Sequence, residues 1–222
     1  MIDLIGDNYS LLQVMSRFGL SLGFGDKTVK EVCEMNNVDC HTFLVVVNFM
    51  AEGFSRMDGS ADDISIPALV DYLRQAHIYF LDYCLPAIRR QLIEAIDCSQ
   101  DDVSFLILKF FDGYMREVRK HMEYEEKTVF KYVDTLIHGN APKNYQISTF
   151  SKHHDQVGER LTELKNIIIN YCPAKANTNV LNAALFDIYA CEEGLESHCK
   201  VEDYLFVPAI LKLERRMREN EK

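Results

Sequence analysis

The chain has no apolar run of the roughly 18 residues that a membrane span needs, which excludes a transmembrane helix. Positive charge is short. The 24 Lys and Arg stand against 34 Asp and Glu, for a formal net charge of -10 and a pI near 5.2. That balance argues against binding nucleic acid through phosphate neutralisation. No Cys-x-x-Cys occurs, and the seven cysteines are odd in number and scattered. Cys33, Cys40, Cys84, Cys98, Cys172, Cys191 and Cys199 therefore read as reduced thiols of a cytoplasmic protein, most of them small core hydrophobes. The opening residues, MIDLIGDNYS, are acidic and lack the charged-then-apolar pattern of a secretory signal. Tryptophan is absent and proline occurs only five times.

What is present is enough apolar material for a real core. At 222 residues and 48% hydrophobic content, the chain can build one domain of about 150 residues plus a small appendage. Residues 1–60 carry their own punctuation. A Gly-rich turn (Gly19, Gly23, Gly25) precedes a capping-box candidate, Thr28 with Glu31, and a helix through Met35. Asn36-Asn37 breaks that helix before TFLVVVNFM, so two or three short helices are expected. The polar stretch GFSRMDGSADD at 53–63 marks the boundary to a second domain at 64–222.

From Ile64 onward four long helices are expected, over about 65–96, 101–138, 146–171 and 178–219. Apolar positions recur at steps of three and four. The first stripe is Val70, Leu73, His77, Phe80, Cys84, Ile88, and the second Ile107, Phe111, Tyr114, Val118, His121, Glu125, Val129, Tyr132. The third is Ile147, Phe150, His154, Val157, Leu161, Leu164, Ile168, and the fourth Ala184, Ile188, Cys191, Leu195, His198, Glu202, Leu205, Ala209. These are core-facing stripes, and short connections make the fold an all-α, antiparallel up-down four-helix bundle. Pro86 and Pro208 should end or bend their helices.

The strongly polar members of the stripes are His77, His121, Glu125, His154, His198 and Glu202. A lone core histidine is more often bonded to a carbonyl, and a lone His-x-x-x-Glu is ordinarily a surface pair worth a few tenths of a kcal/mol. Here every helix places one histidine on its stripe, and two add a carboxylate one turn later. Six such groups cannot be buried bare, because unpaired polar and ionised groups cost several kcal/mol each. A metal cluster resolves the conflict. Mixed imidazole and carboxylate donors suit iron or manganese better than structural zinc. Two irons with two histidines each, bridged by Glu125 and Glu202 and by an oxo or hydroxo group, would keep a position open. His153 falls off the stripe and reads as channel lining beside the ligands. His41 and His138 read as exposed, and Glu123, Glu126, Glu192, Glu193 and Glu196 as solvated outer faces.

At these residues the chain resembles the hemerythrin-like superfamily, and most of all its di-iron proteins for iron-sulfur cluster repair. HMEYEEKTVFK is similar to the family's H-M-x-K-E-E-x-x-L-F-P, with Lys131 in place of the proline. HHDQVGERL corresponds to its E-H-D/N segment, with His154 as the ligand and His153 where a Glu usually stands. HCKVEDYLFVP is similar to H-I-x-L-E-N-N-x-L-F-P, and HIYFLDYCLP to H-H-x-Y-x-x-x-x-L-P, with Ile78 replacing the second histidine. Carried over, the ligands are His77, His121, Glu125, His154, His198 and Glu202, the same set as the stripes give. Gly158 and Phe150 flank His154 at four residues, so the His-x-x-x-His pair of oxygen carriers is missing. Gly23 and Phe24 stand where the repair proteins have adjacent cysteines, and DCSQDDVS replaces their further histidine motif. The resemblance implies two iron ions as cofactor and damaged iron-sulfur proteins as partners, under nitrosative or oxidative stress. Sensing of nitric oxide or oxygen, and reduction of nitric oxide or peroxide, are the alternatives.

Overall fold

The computed structural model describes residues 1–52, 63–96, 102–140, 145–152, 155–173 and 176–220. The expected boundary at 53–63 lies outside them but for Asp63. Among the described residues there is no strand. Four short helices come first: α1 Ile2–Asp7, α2 Leu11–Arg17, α3 Val29–Met35 and α4 Cys40–Glu52. The start of α3 is the capping box: Thr28 Oγ1 accepts from the Glu31 backbone N–H, and Glu31 accepts from the Thr28 N–H at 2.8 Å. The left-handed backbone of Asn37 (φ 54°) follows that helix.

The long helical stretches fall where the periodicity places them. The first is α5 Ile66–Ile78, a π-helical turn Tyr79–Cys84 and α6 Leu85–Ala95. Next come α7 Asp102–Tyr124, a π turn Glu125–Val129 and α8 Phe130–Ile137. A 3-10 turn, Ile147–Lys152, precedes α9 Asp155–Tyr171. Last are α10 Thr178–Val201, a π turn Glu202–Phe206 and α11 Val207–Asn220. Gly139, with φ 83°, closes α8.

The prolines do not end their helices. Each π turn closes with a backbone bond reaching five residues back: Leu85 to Phe80, Phe130 to Glu125, and Val207 to Glu202. Pro86 and Pro208 follow directly, so the residue that cannot donate sits where the ladder is already reorganised. At the third turn the same place is taken by Lys131, and the turn forms without a proline.

Contacts divide the chain into two compact units. One comprises 1–76, 133–148 and 200–222, and the other 77–132 and 149–199. Within the first, Arg17 donates to the Tyr72 hydroxyl at 3.2 Å, Phe18 meets Phe43 edge-on and packs tilted against Tyr72, and the Ser65 N–H meets Thr42 Oγ1 at 2.8 Å. The N-terminal helices thus share a core with the first turns of α5. Glu214 is buried, and accepts the Ile147 N–H at 3.0 Å.

Within the second unit, polar ties join successive helices around an apolar interior. Arg89 on α6 clasps Asp112 on α7 at 2.6 and 3.1 Å, and Gln91 on α6 meets Asp187 on α10 at 2.7 Å. Arg160 on α9 pairs with Glu117 on α7, and Lys165 and Thr162 on α9 hold Glu192 on α10. Glu192 is therefore half-buried and bonded, not the solvated outer group expected, because a lysine with a buried stem faces it.

Among the described residues the stripes form the core with one shift. Ala209, expected inside, is only half-buried, and Ile210 is fully buried in its place. A π turn takes up one residue more than an α turn, so the inward face moves on by one. Ile210→Ala should therefore cost about 2–5 kcal/mol, while Ala209→Ser should cost under about 1 kcal/mol. Urea unfolding of the metal-free protein measures both; the reverse order would contradict the shifted register.

Candidate metal centre

His77 is the penultimate residue of α5, His121 lies in the last turn of α7, and His198 lies near the end of α10. Glu125 and Glu202 each open a π turn, four residues after a histidine on the same helix. Each His/Glu pair thus projects from one helix face, one turn apart. Both carboxylates stand where the helix changes pitch.

His77, Glu125, His198 and Glu202 converge: one donor atom from each lies within 4.8 Å of the others. All four are buried, and the two glutamates are 0% exposed. His77 Nε2 lies 2.8 Å from Glu125 Oε2, and His121 Nε2 lies 2.8 Å from Glu125 Oε1. His121 is partly accessible at the rim. The His77 and His198 rings meet edge-on at 5.1 Å, Phe130 stacks on His77 at 5.5 Å, and Phe80 packs against His198 at 6.1 Å. Those aromatic rings wall the buried side of the cluster.

The close approaches do not have hydrogen-bond alignment: His77 Nε2 and both Glu125 oxygens meet no partner with that geometry. Buried groups at such distances but not aligned with one another are arranged as the donors of one shared cation would be. Isolated buried carboxylates cost several kcal/mol each, and a cation among them removes that cost. Burial is the largest single influence and would raise the Glu125 carboxyl, but the imidazoles of His121 and His77, each 2.8 Å away, together prevail and hold it well below its ordinary range. For His77, burial lowers the pKa, but Glu125 and Glu126 prevail and raise it. The donors are thus mutually compensating acids and bases, a set that can exchange protons for a cation.

A family model described as the hemerythrin HHE cation binding domain matches residues 68–210. The chain belongs to that family. No curated protein matches the chain. The donor chemistry agrees with the family description: imidazole and carboxylate in one buried cluster can hold a metal cation.

Of the residues singled out from sequence, His77, Glu125, His198 and Glu202 come together, and His121 joins through Glu125. His154 and His153 lie outside the described residues. His41 and His138 are exposed, as expected. Glu126 is a correction. Instead of being solvated, it bonds His77 Nδ1 at 3.0 Å and fixes the ring so that Nε2 faces Glu125. Periodicity could not show this, because Glu126 lies inside the π turn, where 3.6-residue spacing fails.

Two outcomes are expected. Glu126→Gln should weaken metal affinity about 10–100-fold, measured by anaerobic titration against a competing chelator, with the fold unchanged. Because His77 binds its proton more tightly than usual, metal uptake at neutral pH should release protons, and affinity should fall as pH is lowered. Weakly buffered calorimetry measures the release.

Proposed function

We propose that the cluster holds two iron ions, with His77, His121, Glu125, His154, His198 and Glu202 as protein ligands and His153 lining the approach. The scaffold is an antiparallel up-down four-helix bundle at 64–222, preceded by a small helical domain at 1–60. One observation carries the reading: two carboxylates without exposed surface lie within 4.8 Å of two buried imidazoles, in a chain of the HHE family. The polar ties between α6, α7, α9 and α10 support the bundle.

The protein's own residues prepare the site. Glu125 stays ionised between two imidazoles, Glu126 orients His77, and Phe80 and Phe130 wall the buried side. An iron pair bound there supplies redox capacity and open positions for nitric oxide or oxygen. In the repair reading ferrous ion is also cargo, delivered to iron-sulfur proteins damaged by nitrosative or oxidative stress in the cytoplasm. A sensing reading, in which the diatomic ligand is reported through the N-terminal helices, is favoured by Gly23 and Phe24 at the place of the repair proteins' cysteines.

Protein purified without oxygen should carry about two irons per chain and, once oxidised, show an oxo-bridge charge-transfer band. Combined His121→Ala and Glu125→Ala should abolish iron binding and leave helix content largely intact by circular dichroism. Stoichiometric zinc with no iron uptake would contradict the reading. Restoration of an apo-aconitase-type cluster by the iron-loaded protein alone separates repair from sensing.

A further inference from the structure

Helix α7 is apolar on more than its core-facing stripe. Ile107, Phe111 and Tyr114 are buried in the core. Leu106, Phe110 and Gly113 repeat that spacing one residue earlier, on an adjacent face, with Val103 before them. That face does not close onto α9. Between the two helices lies a groove of about 630 Å³, with Ile167 and Tyr171 of α9 on its other side. Leu106 and Tyr171 stay exposed along it. Its volume is that of small-molecule pockets, about 300–1,000 Å³. The groove follows the half of α7 that precedes the metal centre. Gly113 stands eight residues before His121, or about 12 Å of helix rise.

Three features suit this groove to one kind of ligand. Gly113 lies in the interior of α7, where glycine destabilises a helix relative to alanine. Packing does not require it, because a Cβ there would meet nothing nearer than the end of Arg116, at 3.8 Å. The missing side chain keeps the floor of the groove open. Charge is the second feature. The chain has 34 acidic residues against 24 basic ones, yet the charged residues lining the groove are Lys109 and Arg160. Arg160 lies 5.9 Å over the Phe110 ring and pairs with Glu117. A guanidinium has five N–H donors, so one ion pair does not exhaust it. Among the described residues Lys109 has neither a hydrogen bond nor an ion pair. The nearest acid along its helix, Asp112, is held by Arg89. The third feature is polarity along the groove. Both cations stand by Phe110, whereas Leu106 and Val103, one and two turns toward the start of α7, bring no charge.

We propose that the groove between α7 and α9 binds a fatty acid, its acyl chain over Val103, Leu106 and Ile167 and its carboxylate against Lys109 and Arg160. Lys109 and Arg160 set against Glu117 leave one net positive charge, which matches a monoanion. Taking the acyl chain and the apolar walls out of water together supplies the affinity, and the charged head fixes the direction of binding. A second copy of this chain is a poorer occupant, because each copy carries a formal charge of -10. An uncharged or cationic amphiphile of the same length would bury the same tail and leave the two cations uncompensated. Nothing in this binding requires the metal.

The test is calorimetric titration of the full-length protein with decanoate, decanol and decyltrimethylammonium, each below its micellar concentration. Decanoate should bind once per chain, and about tenfold or more tighter than either of the others. Lys109→Glu should weaken decanoate about tenfold and leave decanol unchanged. Gly113→Leu fills the groove and should abolish decanoate binding, while the melting temperature holds or rises because a helix-interior glycine is gone. A fatty acid bearing a diazirine, photolysed on the parent protein and mapped by mass spectrometry, should label peptides within 103–113 and 160–171. That map decides the matter even where a variant fails to fold. Four results overturn the inference: no binding of decanoate, equal binding of all three amphiphiles, labelling elsewhere, or a dimer in light scattering that Gly113→Leu dissociates. Each of them leaves the metal reading untouched.

Discussion

Two glutamates with no exposed surface, set against imidazoles from three helices, impose the main constraint on this molecule. Hydrophobic packing alone would expel such groups, because ionised carboxylates away from water are stable only when compensated. Compensation here is collective. His77 and His121 each approach a different oxygen of Glu125, and Glu126 holds the far side of His77. Such an arrangement of imidazole and carboxylate donors could hold a cation.

The π turns are the backbone counterpart of that constraint. Glu125 and Glu202 each open one, and the third begins two residues after His77. A wide turn gives up regular hydrogen bonding at some cost and gains freedom to place side chains off the α-helical lattice. Two of the turns are followed by proline and one by lysine, so the distortion belongs to the site and does not originate in the proline ring. The register shift from Ala209 to Ile210 is the distant consequence of the last turn.

Much of this was legible in the linear chain. Long stretches of three-and-four spacing define the four helical segments to within a few residues, since burying a stripe is what makes long helices stable. The polar exceptions on the stripes then mark the cluster, because a histidine or glutamate among Leu, Ile and Phe needs a partner. Legibility stops where the 3.6-residue period stops. Glu126 lies within a π turn, where regular spacing points it to solvent, and Ala209 lies beyond one, where regular spacing points it to the core. Glu192 reads as an outer charge because the helix that faces it, with Lys165, is not visible in its own local pattern. Four short N-terminal helices form where the pattern shows two or three, since helices of six or seven residues have too few turns to show a period.

X-ray absorption at the iron edge, on protein loaded without oxygen, tests the central claim most directly. The account predicts a first shell of nitrogen and oxygen only, and a second metal within about 4 Å of the first. An isolated iron with no metal neighbour, or a shell containing sulfur from the cysteines, would contradict it.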